Sequence, residues 1–249
     1  MLARPTSNVS LLPSGLDVCY GDLSDPSLPL DGVSSVVYCA SMGFGHVPGL
    51  VRQLETAGTR RAVFISTTAI FTSLASASRT VRLDAEAAVQ HSRLEWTILR
   101  PTMIYGTARD RNISRLLHYL KRWPIFPLCG NALWQPIHVE DLADAVVAAL
   151  DSPLAGSRIY SVAGAAPLPF SALVHTAAAA VGRRVVLVPV PIAAAVAAAR
   201  LSRIVTTEQI RRLAEDKSFD YSAATRDFAF HPRPFPEGVR QEARTLGLA

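Results

Sequence analysis

Residues 96–106, WTILRPTMIYG, decide the fold of this chain. Trp96, Ile98 and Leu99 form a buried-strand pattern that runs into Arg100-Pro101 and then into a turn closed by Gly106. Proline disfavours helix for the residue before it and lacks the N–H that a sheet ladder needs. The strand is therefore expected to stop at Arg100, with an ordered turn at its carboxyl end. In open parallel α/β sheets, ligands bind along that edge. Nothing upstream reads as the phosphate loop that such a sheet normally carries.

On both sides of this segment, strand-like and helix-like patterns alternate. Residues 16–20 (LDVCY), 35–39 (SVVYC), 61–65 (RAVFI), 97–99 and 157–162 (SRIYSV) are short apolar runs expected as strands. Residues 48–57 place Leu50, Val51 and Leu54 on one helical face, and 140–150 do the same with Leu142, Val146, Ala149 and Leu150. Residues 83–92 read as a further helix with Asp84 and Glu86 in its first turn. The alternation predicts an α/β protein with a doubly wound, mostly parallel sheet over residues 1–165. Beyond that the texture changes. Alanine-rich helices at 172–181 and 193–203 flank a strand at 185–188. A helix at 207–216 and a proline- and aromatic-rich tail ending in a short helix complete a smaller mixed lobe over 166–249.

Composition narrows the function classes. A chain of 249 residues with 49% hydrophobic and 18% charged residues is well cored rather than disordered. Its 25 basic residues exceed 20 acidic ones, but they are scattered, with short pairs such as Arg183-Arg184 and Arg211-Arg212. With no basic stripe or interleaved aromatics, nucleic acid is not the expected partner. Cys19, Cys39 and Cys129 lie far apart without metal-ligand spacing, so neither a metal nor a disulfide framework is expected. Cys19 and Cys39 fall in apolar runs, where free thiols act as small hydrophobes. The longest apolar stretch, 185–199, is broken by Pro189 and Pro191 and is too short to span a bilayer. No charged segment followed by an apolar core opens the chain. A cytoplasmic protein without membrane contact is expected.

The motifs GDLSD (residues 21–25), VVYCAS (36–41), FISTTAIF (64–71), TILRPTMIYG (97–106) and PIHVEDLADAVVAAL (136–150) occur together in one order. In that combination the chain resembles the extended or atypical short-chain dehydrogenases/reductases of the NAD-dependent epimerase/dehydratase type. The resemblance implies a doubly wound Rossmann sheet with a C-terminal substrate lobe, NAD or NADP as cofactor and a small-molecule substrate such as a nucleotide-sugar. It also admits a homodimer. Asp22 and Leu23 would border the adenine, Ala40, Ser41 and Met42 the adenine-side ribose, and Arg4 a 2′-phosphate of NADP. Ser66, Thr67 and Thr68 fall where the family keeps its catalytic hydroxyl, with Thr68 foremost. Pro101, Thr102, Met103 and Ile104 would face the nicotinamide. His138 would brace the cleft wall, and Asn112 falls where relatives contact a nucleotide-sugar phosphate.

The chain departs from the family in two ways. The opening strand, glycine-rich phosphate loop and first helix have no counterpart, so that roughly 30–50 residues, about one βαβ unit, are missing and the sheet is N-terminally truncated. The loop brings backbone and a helix dipole to the pyrophosphate, so dinucleotide affinity is expected to fall without it. Residues 42–49 (MGFGHVPG) supply Gly43, Gly45 and Gly49 between a strand and a helix. They read either as a substitute loop or as a rim of the cleft; the fingerprint's acidic residue about 20 positions on is not there. The second departure is the Tyr-x-x-x-Lys dyad, whose positions hold Ser78 and Arg82. Arg82 can still grip a ribose hydroxyl, whereas a serine cannot serve as a phenolate. Tyr105 is either a substitute phenol at the substrate or a residue packed under the strand-end turn. Two functions follow: hydride chemistry with Thr68 polarising a substrate oxygen, or a non-catalytic NAD(P)H-sensing or assembly protein. Nitrogen-metabolite-repressor-like regulators and a respiratory complex I accessory subunit are relatives of the latter kind that lose the tyrosine.

Overall fold

The structure, a computed structural model, describes residues 1–10, 12–25, 27–72, 77–202 and 215–249. The helix expected at 207–216 lies almost wholly outside them. β1 (Leu2–Ala3) pairs in parallel with β2 (Cys19–Tyr20). Separate from this pair, β3 (Ser35–Tyr38), β4 (Arg61–Ile65), β5 (Glu95–Pro101) and β6 (Arg158–Val162) form an all-parallel sheet in the order β6-β5-β4-β3. The Rossmann-like α/β class expected from the alternation is the class observed. What alternation did not reveal is a sheet in two pieces.

β4 is central and covered on both faces, so its sequence RAVFI is a continuous apolar run after Arg61. Phe64 packs with Leu50, Leu54, Val89 and Ile98 beneath α1 (Val47–Thr56) and α2 (Ala77–Gln90). Its neighbour Val63 points the other way, into a cluster with Leu142, Ala145 and Ala149. α2 begins earlier than the expected Leu83, because Arg79 Nε donates to Ile70 O at 2.7 Å and ties its first turn to the preceding 3-10 turn. This puts Ser78 and Arg82 on one helix. β5 likewise runs one residue past the expected stop. Pro101 pairs with Val162, and Thr102 N–H donates to Val162 O at 3.1 Å, so the ladder survives a terminal residue that lacks a donor.

At the amino side, only Cys19–Tyr20 of the expected strand 16–20 is paired, because β1 is two residues long. Cys19 and Cys39 are exposed rather than buried among apolar neighbours, since both line the break between β1 and β3. That break is a cavity of about 740 Å³ bounded by Leu2, Ala3 and Gly21 on one bank and Ser35, Val37 and Ala40 on the other.

The remaining helices divide between the sheet and a second core. α3 (Ile113–Arg122), α5 (Phe170–Ala180) and α8 (Phe235–Thr245) share a cluster containing Leu117, Leu120, Leu173, Val174 and Val239. That core therefore draws residues from both sides of position 165. α4 (Val139–Asp151) and α7 (Ser222–Phe228) instead cover the sheet, where the Tyr160 hydroxyl donates to Asp227 Oδ2 at 2.7 Å. α6 (Ile192–Ser202) follows a strand at Val186–Pro189 that pairs with Ile125–Leu128. No described helix is long and apolar enough to cross a membrane.

Candidate functional site

The carboxyl ends of β4 and β5 bring together the hydroxyls singled out above. Ser66 follows β4 directly, and its Oγ donates to Glu86 Oε1 of α2 at 2.5 Å. Glu86 is 1% exposed and receives both Nε and Nη2 of Arg100, whose guanidinium also lies 5.1 Å over the Phe71 ring. Arg100 is the last residue before the proline of the strand end, so a buried ion pair locks β5 to α2. Thr67 caps the 3-10 turn Thr68–Phe71 by accepting from Ala69 N–H at 3.1 Å. Thr68 is buried, and its hydroxyl donates to Pro101 O at 3.2 Å. Each hydroxyl is committed to a bond within the chain.

One turn into α2, Arg82 Nη1 donates to Ser78 Oγ at 2.9 Å. The guanidinium packs on Gly43, where an added Cβ would meet it at 3.4 Å. Residues 42–44 form a single 3-10 turn capped by Ser41, and Gly45 takes a left-handed φ of 81°. Met42 is buried in the α1–α2 core. Asp22, Leu23, Ala40 and Arg4 all line the 740 Å³ cavity. Asp22 Oδ1 accepts from Ser24 N–H at 2.9 Å and from Ser24 Oγ at 2.5 Å, which hold its carboxyl below the usual carboxylate range.

The turn after β5 is packed from beneath. Thr102 Oγ1 donates to Gln135 O at 2.5 Å, and Gln135 bonds in turn to Gly164 O and Phe219 N–H. Met103 leans on the second core, while Ile104 is 37% exposed and pairs with Ile137. Tyr105 is fully buried, edge-on to His138 at a ring separation of 5.2 Å. Its hydroxyl faces Gly238 of α8, at a position where any Cβ would overlap it, and has no hydrogen-bond partner. Burial, with the nearby Asp141 carboxylate, pushes that phenol above its ordinary range. A buried phenol shifted upward is the reverse of what a general base needs. His138 caps α4 through Nδ1, which accepts Glu140 N–H at 3.3 Å. Burial and Arg233 hold its imidazole below its ordinary pKa, and Nε2 has no partner. Asn112 is exposed at the start of α3 and makes no side-chain cap. Among the described residues no cluster of His, Cys, Asp and Glu could hold a metal ion.

Two features escaped the sequence reading. The Glu86–Arg100 pair joins residues 14 apart, and neither motif spacing nor periodicity announces such a pairing. Glu242 lies in the helix that closes the tail, yet it is 1% exposed, with its carboxyl facing the Asp110 carboxyl and the Gly106 amide.

The fold is that of a Rossmann-like α/β protein with a mostly parallel sheet. The chain belongs to the NAD(P)H-binding family, whose match spans residues 1–153. Among curated proteins it is similar to the mitochondrial NADH dehydrogenase [ubiquinone] 1 alpha subcomplex subunit 9 of Arabidopsis thaliana, 34% identical over 106 residues, covering 41% of this chain and 26% of that protein. It is also similar to the chloroplast stem-loop binding protein of 41 kDa b of the same plant, 30% identical over 104 residues, 41% of this chain and 28% of that protein. Both matches thus span only about a quarter of those relatives' length. Among solved structures, UDP-glucuronic acid 4-epimerase from Bacillus cereus in complex with NAD superposes with a TM-score of 0.74. It is 14% identical, and the superposition covers 95% of this chain and 82% of that one. At that identity the likeness is one of fold.

An NAD(P) group meets these residues unevenly. The residues expected at the adenosine end, Asp22, Leu23 and Ala40, border one cavity. At the hydride end, the two helix positions expected for the dyad hold Ser78 and Arg82, which hydrogen-bond to each other.

Proposed function

We propose that this chain binds the adenosine half of NAD or NADP at the carboxyl edge of its sheet and works as a nucleotide-sensing or assembly protein. We do not assign it oxidoreductase or isomerase chemistry on a nucleotide-sugar. One observation carries this reading: Ser66, Thr67 and Thr68 are held by Glu86, Ala69 and Pro101, while Ser78 and Arg82 bond to each other where the family places its acid–base pair. A bound nicotinamide would supply the hydride, while among the described residues the strand-end hydroxyls are engaged by other groups of the chain.

In this reading Asp22 accepts from the adenine amine, and Leu23, Ala40 and the main chain of Ser41 and Met42 border the adenosine. Arg4 reaches a 2′-phosphate when the ligand is NADP. The turn from Pro101 to Ile104 is a wall, and Tyr105 and His138 hold it in place. The likeness to a respiratory NADH dehydrogenase subunit supports an assembly role. The three free thiols support a reducing compartment, for which we propose the cytoplasm.

Fluorescence titration of the purified chain with NADH and NADPH tests the reading, with a parallel assay for turnover of UDP-sugars. Saturable binding that Asp22→Ala weakens by about tenfold, without turnover, is the expected result. Turnover of a nucleotide-sugar would overturn it, as would no binding at millimolar cofactor.

A further inference from the structure

The two-stranded piece beside the second core is apolar on both sides. Ile125–Leu128 pairs in parallel with Val186–Pro189, with Ile125 opposite Val186 and Pro127 opposite Val188. Side chains alternate across a strand, and paired residues of neighbouring strands share a side. Phe126 and Leu187 turn into the second core. Ile125, Pro127, Val186 and Val188 therefore share the outward side, where Ile125 is 53%, Val186 64% and Val188 44% exposed. Trp123 stands two residues before Ile125 in extended backbone, with φ −121° and ψ 127°, and continues that side at 53% exposure. A ribbon with one solvated side alternates apolar and polar residues, whereas apolar residues on both sides belong to strands covered twice. The second core supplies only the inner cover.

The surroundings carry one sign of charge. Residues 111–139 and 152–202, which supply α3, both strands and α6, contain no Asp or Glu. Arg122 ends α3 with its guanidinium 5.6 Å over the Trp123 ring, and the exposed Arg183 and Arg184 lead into the second strand. Lys121 is set apart, since its ammonium donates to Val181 O and Leu248 O. Three residues past the second strand, Ile192 opens α6 and is itself exposed.

This chemistry selects the occupant. Arginine lays its stem along apolar surface and keeps its head in water, and tryptophan favours the boundary between apolar and wet, the pairing suited to a bilayer interface. A second copy across a two-fold axis would set the arginines of one face against those of the other. Pro127 and Pro189 lie in the two strands, so neither edge offers an unbroken row of donors to an added strand. The expectation of no membrane contact concerns single apolar runs, and 185–199 is too short to cross a bilayer. A face assembled from two segments lies on a bilayer without crossing it.

We propose that this face docks the chain on a bilayer surface rich in anionic lipids. Trp123, Ile125, Val186 and Val188 enter the boundary between headgroups and acyl chains, and Arg122, Arg183 and Arg184 pair with lipid phosphates and carboxylates. Each arginine contributes roughly fivefold to partition, so the three together favour anionic over neutral lipid by about a hundredfold at low salt. None of these residues lines the 740 Å³ cavity, so docking and nucleotide binding can fail separately.

The test sediments the full chain with vesicles of phosphatidylcholine alone and with vesicles of equal parts phosphatidylcholine and phosphatidylserine. Tryptophan quenching by brominated acyl chains is read in the same samples. The expected result is binding to the mixed vesicles that is about a hundredfold weaker on neutral ones, weakens with salt, and brings quenching that Trp123→Phe largely removes. Ile125→Ser combined with Val186→Ser should weaken binding by about tenfold or more, and Arg183→Gln combined with Arg184→Gln by about twentyfold. All four positions are exposed, so neither pair should shift the thermal melt of the free chain. No binding, or equal binding to both vesicles, would overturn the proposal. So would undiminished binding by the serine pair without quenching, which marks adsorption of a basic chain by charge alone. A concentration-dependent dimer that shields Trp123 from iodide would put a second copy on the face, and preference for polyglutamate over vesicles would put an acidic protein there; either result overturns it.

Discussion

Replacing Glu242 by glutamine should stabilise the protein, and increasingly so as pH rises. The side chain is 1% exposed on the inner face of α8. Burial, reinforced by the facing Asp110 carboxyl and opposed by the Gly106 amide, pushes its pKa up to about 9 from an ordinary 4.5. The folded state therefore holds this proton up to about pH 9, whereas the unfolded chain releases it near 4.5. Between those limits the unfolded state binds fewer protons, and stability falls by about 1.4 kcal/mol per pH unit. At about pH 7.5 the loss has a ceiling of ~4 kcal/mol; opening of α8 toward water limits the realised cost to roughly 2–4 kcal/mol. Glutamine keeps the shape and never ionises. Thermal melts from about pH 4.5 to pH 9 should show the two proteins converging at the acid end, with Glu242→Gln melting higher by roughly 4–12 °C near pH 7.5. Parallel pH profiles, or a variant no more stable than the parent at alkaline pH, would refute the argument.

Gly238→Ala should cost ~1–3 kcal/mol although alanine is the better helix former, because its Cβ overlaps the Tyr105 hydroxyl. Adding Tyr105→Phe should recover most of that loss in denaturant melts, since the hydroxyl it deletes has no partner. Arg61 donates to Glu95 O, Ala149 O, Leu150 O and Thr97 Oγ1, so Arg61→Leu strands three carbonyls and should cost ~3–5 kcal/mol. Arg61→Lys should recover less than half of it, lacking the planar fork of donors. Thr68→Val should lower stability by ~1 kcal/mol and leave NADH binding unchanged by titration, marking its hydroxyl as a brace of the strand end.

Much of the architecture is local in origin and so could be read from the chain. Apolar runs such as RAVFI and the turn at Arg100-Pro101 carry their own signal, because period and turn chemistry are properties of neighbouring residues. The strand boundaries moved only where a distant partner intervened, as when Val162 keeps Pro101 in the ladder. The site was legible as a place rather than as a set of roles. Ser66 and Thr68 do stand at the strand end, but whether a hydroxyl is free depends on Glu86 and Pro101, 20 and 33 residues away. Glu242 shows the same limit, since its helix face turns inward only because α3 and α5 receive it. No spacing within an isolated strand forecasts that β1 and β3 stand apart.

The interleaving of the second core has a consequence for synthesis. Ile113 and Leu117 share one core with Leu173 and Val174 of α5 and with Phe235, Val239 and Ala243 of α8. A growing chain therefore covers part of the apolar face of α3 when α5 emerges and the rest only with Phe235, Val239 and Ala243. The contiguous β3-β4-β5 segment, by contrast, can pair as it emerges from the ribosome. The helix Phe235–Thr245 thus acts as a closing clasp on a core that α3 and α5 have already begun.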